Sequence, residues 1–142
     1  MKNIYIVLGI WIMLNLAGCV SQGKMFTHFK VANKGYGSLY IYRPDVFLTS
    51  ALSYKIIDKK TNSVLGTLNN NSYFNRSLLD GNYILKTDTN ELKIQIKRNE
   101  ITCVKSFVDI KHYPMYSTRD FSLDEVDISK CKFEIRKTRK SI

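Results

Sequence analysis

Along Leu92-Lys93-Ile94-Gln95-Ile96-Lys97 aliphatic and polar residues alternate, and this period of two constrains the backbone more tightly than any other feature of the chain. Successive side chains of an extended strand point to opposite faces, so Leu92, Ile94 and Ile96 share a buried face while Lys93, Gln95 and Lys97 share a wet one. Similar blocks recur. Ser38 to Arg43 sets Leu39 and Ile41 against Tyr40 and Tyr42 before Pro44 ends the pairing, and Leu52 to Asp58 places Leu52, Tyr54 and Ile56 on one side. Ser63 to Leu68, Ser72 to Leu78, Tyr83 to Thr87, Ile101 to Ile110 and Phe121 to Val126 complete the set. Between them stand turn formers: Lys59 to Asn62, Asn69 to Asn71, Leu79 to Asn82 with its Asp80-Gly81 pair, and Arg98 to Glu100. His112 to Arg119 reads as a loop around Pro114. Seven or eight short strands without a long helical pattern predict an all-β, antiparallel β-sandwich of transthyretin-like or Ig-like type. Ile128 to Ser141 fits either a short amphipathic helix or a strand, with helix preferred.

A chain of 142 residues, 44% hydrophobic and 24% charged, suits one compact domain. Its first residues read differently. Met1, Lys2 and Asn3 precede an uninterrupted apolar run from Ile4 to Leu14, the layout of a secretory signal. That run is shorter than the ~20 apolar residues a membrane span requires. It is closed by Leu16-Ala17-Gly18-Cys19, which resembles the lipobox of bacterial lipoproteins. The resemblance implies cleavage between Gly18 and Cys19, lipid on the Cys19 thiol, and sorting to the outer membrane because Val20 stands where an aspartate would retain the protein. The expected organisation is a leader at 1–18, a lipidated N-terminus and tether at 19–36, a sandwich at 37–135 and a basic tail at 136–142.

Export makes sense of the other cysteines. With Cys19 carrying lipid, Cys103 and Cys131 remain as an even pair in a compartment where disulfides form, and a bridge between them is expected. Two separate buried thiols are the alternative. The formal net charge is +10, and removing the leader takes away only Lys2, leaving 21 bases against 12 acids. Such a surface favours anions. For an exported chain the expected partners are therefore the membrane, through Cys19, and an envelope protein or anionic envelope polymer, with no nucleic acid.

Ser38-Leu39-Tyr40-Ile41-Tyr42-Arg43-Pro44, Ala51 to Lys55, Val64-Leu65-Gly66-Thr67-Leu68, Asn71 to Phe74 and Asp80 to Tyr83 occur in an order and spacing that resemble the bacterial lipoproteins grouped as domain-of-unknown-function family 2846. The likeness covers about residues 37 to 110, although Asp80 stands where the family usually has proline. It implies a lipid-anchored β-sandwich and carries no activity with it.

Little in the chain suggests catalysis. His28 and His112 sit in no catalytic motif, and neither forms a ligand cluster with a cysteine. Asp120, Asp124, Glu125 and Asp127 lack the spacing of a calcium loop. No catalytic residue, metal or cofactor is implied, and a non-enzymatic binding or scaffold module is expected. Outer-membrane docking within a secretion machine and small-ligand or glycan binding are the alternatives. Candidate binding residues are Arg43, Tyr42, Tyr73 and Phe74, the aromatics as a stacking platform. Arg43 could equally form a strand-end salt bridge. Arg136-Lys137-Thr138-Arg139-Lys140 is the densest run of charge, suited to acidic headgroups or to a frayed terminus.

Overall fold

A computed structural model describes residues 23–142. The leader, the Gly18–Cys19 cleavage site and the lipidation site at Cys19 lie outside the described residues. The strands are β1 (Tyr36–Arg43), β2 (Tyr54–Asp58), β3 (Ser63–Leu68), β4 (Ser72–Leu79), β5 (Gly81–Lys86), β6 (Glu91–Ile96), β7 (Ile101–His112), β8 (Ser117–Val126) and β9 (Arg139–Lys140). A helix, α1 (Ile128–Ile135), precedes β9. One sheet has the order β8-β7-β1-β4-β9 and the other β3-β2-β5-β6. Their inner faces meet in a single core, to which Leu39, Ile41, Phe74 and Val104 contribute from the first sheet and Ile56, Leu68, Leu85 and Ile96 from the second. This is the sandwich that the alternation predicts.

The turns are where the sequence places them. Asn62, Asn71 and Asn99 all take positive φ, between 53° and 60°, a conformation asparagine tolerates better than most residues. Gly81 follows Asp80 at φ 153°, where a side chain would be strained. The expected loop from His112 to Arg119 shrinks to residues 113–116, because the Tyr113 amide donates to Tyr116 O at 2.8 Å and lets β7 and β8 pair almost to the tip. Two pairings are parallel, β1 with β7 and β4 with β9, in a sheet expected to be antiparallel throughout. Each joins segments distant in the chain, which local alternation does not report.

The first sheet has a second covered face. Tyr40 and Tyr42 turn away from the sandwich core and pack with Phe26, Cys103, Cys131 and Ile135. Two segments supply this cover. One is α1, capped by Asp127, whose carboxylate accepts from the Ser129 and Lys130 amides. A disulfide between Cys103 and Cys131, with Cα atoms 6.2 Å apart, ties α1 to β7. The other is the segment expected to be a tether: Phe26 is buried, its amide donates to Thr138 O at 3.0 Å, and Lys24 O accepts from the Lys140 amide at 2.8 Å. From residue 24 onward the chain is thus a strap held on the domain. The basic tail is partly structural too, since Thr138 is fully buried and β9 pairs with β4. A polar, Gly-punctuated composition conceals the docking aromatics Phe26 and Phe29, and this is why the strap reads as loose.

Candidate functional site

Chemistry-bearing side chains gather at three places. On the outer face of the first sheet, the Tyr42 hydroxyl donates to Glu134 Oε2 at 2.8 Å, and Lys105 Nζ lies 2.8 Å from the same oxygen. The trio joins β1, α1 and β7 beside the disulfide. Burial, reinforced by the hydrogen bond to Glu134 and by the Glu134 and Asp127 charges, holds the Tyr42 phenol far above its ordinary pKa. Burial also opposes the Glu134 charge, but hydrogen bonds from Lys105 and Tyr42 and the Lys105 and Lys130 charges outweigh it and keep the carboxyl below its ordinary value. The acid is therefore ionised and neutralised by its partners. It acts as a clasp and has no proton to exchange at neutral pH.

At the end of the sandwich where β1 stops, Arg43 is 1% exposed and points between the sheets. Its Nη1 donates to Leu52 O at 2.6 Å, while Nη2 donates to Thr49 O at 2.5 Å and to Thr49 Oγ1 at 3.0 Å. The guanidinium lies 5.4 Å from the centre of the Tyr54 ring, and the Tyr54 hydroxyl is 2.6 Å from Ser106 Oγ. Burial lowers the Arg43 pKa, against the pull of Tyr54 and Asp45. Among the described residues Arg43 makes no strand-end salt bridge. It gathers the carbonyls of the 44–53 loop, including the short 3-10 turn Phe47–Thr49, onto the end of the core.

This geometry corrects the expected binding platform. Arg43, Tyr42 and Phe74 are buried and Tyr73 is half-buried, because β1 and the first residues of β4 are interior and covered on both faces. Ile41 pairs with Phe74 on the inner face, and Tyr42 with Tyr73 on the outer one. Tyr73 packs edge-on against Phe26, centroids 5.3 Å apart. All four residues support the fold.

The exposed apolar side chains lie elsewhere. Since β1 and β7 are parallel, the loops that follow them leave the sheet at the same end. One loop exposes Val46, Phe47 and Leu48, and the other exposes Tyr113, Met115 and Tyr116. Phe47 is 89% and Met115 95% exposed, and Tyr113 and Tyr116 stack on each other at 4.8 Å. Sequence reasoning missed this end, although bulky apolar residues beside Pro44 and Pro114, inside segments too irregular to be strands, are a usable signal for it.

A third feature is an open cleft of about 280 Å³ between β3, β4 and the C-terminus, lined by Val64, Gly66, Phe74, Arg76 and Lys140 among others. Gly66 makes room for the Phe74 ring, which a Cβ there would approach to 2.7 Å. Among the described residues no Asp, Glu or His side chain lines the cleft. His112 Nδ1 is 3.0 Å from Ser117 Oγ at the hairpin, remote from the buried Arg43, and His28 Nδ1 is 3.0 Å from Thr27 Oγ1. Asp120 accepts from Thr89 Oγ1 at 3.0 Å, and Asp127 serves as the helix cap. Among the described residues no three or more His, Cys, Asp or Glu side chains group as a metal site. Comparison with family models, with curated proteins and with solved structures finds no match to this chain.

Proposed function

We propose that this chain is a lipid-anchored protein of the bacterial cell envelope, held at the outer membrane and facing the periplasm, whose sandwich is a non-enzymatic module that binds another envelope protein. Leu16 to Cys19 supports the anchor, and the disulfide accords with an exported domain. The observation that carries the binding reading is the loop end, where the loop after β1 exposes Phe47 and Leu48 and the loop after β7 exposes Met115 and the stacked Tyr113–Tyr116 pair. Exposed apolar clusters of this kind mark interaction surfaces, and aromatic and Met side chains are enriched at their centres. The glycan reading has less support, because most of its rings are consumed in packing.

Photo-cross-linking from intact cells tests the binding site. A cross-linker at Phe47 or at Met115 should capture one and the same protein, and a cross-linker at Asn62, at the opposite end of the sandwich, should not. Met115→Asp should lower the yield from position 47 by about tenfold or more, the cost of an unpaired charge in a buried interface. Equal capture from all three positions would refute the proposed surface.

A further inference from the structure

The outward side of α1 and its continuation carries Lys132, Phe133, Arg136 and Lys137, all exposed, while Cys131 and Ile135 pack inward. Their spacing places the four on one helical face. Glu134, the acid of the helix, is turned inward to Tyr42 and Lys105 and leaves that face uniformly basic. Phe133 is 70% exposed, with Lys137 Nζ 5.3 Å from its ring centre. A short helix with cations flanking an exposed aromatic suits the boundary between headgroups and acyl chains.

The route to the anchor ends beside this face. Phe26 bonds to Thr138, the residue after Lys137, and Lys24 bonds to Lys140. Five residues lead back from Lys24 to Cys19, a span of no more than about 18 Å even fully extended. Lipid on Cys19 would therefore enter the bilayer within that reach of the strand that follows α1.

We infer that the outer face of α1 lies on the membrane, with Lys132, Arg136 and Lys137 taking the headgroups of anionic phospholipid and Phe133 entering the interface. This rests on the lipid anchor proposed above and adds an orientation to it. The loop end is also apolar, but Asp45, Asp109 and Asp120 stand near it together with Lys111 and Arg119, so it offers anionic lipid no comparable surplus of positive charge.

Tryptophan quenching tests the orientation. Trp11 lies in the leader that maturation removes, so Phe133→Trp and Met115→Trp each add a single reporter to the lipidated product of the full-length chain. In vesicles of phosphatidylethanolamine and acyl-brominated phosphatidylglycerol, the Phe133→Trp reporter should be quenched roughly twofold or more, and the Met115→Trp reporter should not. Adding Arg136→Glu and Lys137→Glu, or replacing phosphatidylglycerol with brominated phosphatidylcholine, should remove most of that quenching. Quenching at Met115→Trp alone would put the loop end on the membrane and overturn the inference. Quenching that survives both charge controls would overturn the headgroup assignment. Vesicle flotation separates the two levels: floating protein unquenched at Phe133→Trp refutes the orientation and leaves the anchor, whereas protein that does not float refutes both.

Discussion

Removing the disulfide by Cys103→Ala together with Cys131→Ala should lower the stability of the domain by about 3–4 kcal/mol, the loop-closure entropy that a bridge between residues 28 apart withholds from the unfolded chain. For a domain of this size that is a fall in Tm of roughly 10–20 °C. Both cysteines are buried, and alanine leaves no polar atom unsatisfied in their place. The loss should also be uneven. An eight-residue helix does not persist without tertiary support, and α1 is held by Cys131, Ile135 and the Glu134 clasp. Hydrogen exchange should therefore accelerate first in Ile128–Ile135 and in the strap around Phe26, while β2, β5 and β6 keep their protection. A Tm within about 3 °C of the parent would show that packing alone holds the second layer.

Arg43→Met should cost about 2–4 kcal/mol, since it strands the buried carbonyl of Thr49 and the partly buried carbonyl of Leu52 at the end of the core. Methionine fills much of the same volume, which separates the lost hydrogen bonds from a simple cavity. Arg43→Lys should not restore stability, because an ammonium cannot spread donors across two carbonyls as the planar guanidinium does. Limited proteolysis should then cut faster within 44–53 than it does in the parent. If Arg43→Met were as stable as the parent, the desolvation of a buried cation without an acidic hydrogen-bond partner would be as costly as the bonds it makes are favourable.

Arg43 also shows where sequence reasoning stops. Alternation reports which residues share a face, and from Leu92 to Lys97 or Ser38 to Arg43 that sufficed to place strands, turns and the inner core. It does not report what covers the other face. Tyr40 and Tyr42 sit opposite Leu39 and Ile41, and whether they meet water depends on Phe26 and Ile135, residues remote in the chain that reach them only through tertiary packing. The same blind spot made Tyr42 a candidate for a surface it does not reach. The cysteine pair was legible because compartment and parity argue for it without geometry. Asp127 before Ile128 is a readable helix cap and accounts for the helix at 128–135, whereas the strand at 139–140 depends on pairing with β4, which the local sequence does not report.

Orientation and binding surface both presuppose the anchor, and the intact mass of the mature protein tests it most directly. Protein recovered from the membrane fraction of cells expressing the full-length chain should begin at Cys19 and carry the mass of a diacylglycerol on that residue. Cys19→Ala should lose the lipid. A membrane-bound product that retains residues 1–18, or one whose Cys19 is unmodified, would contradict the lipid-anchored reading.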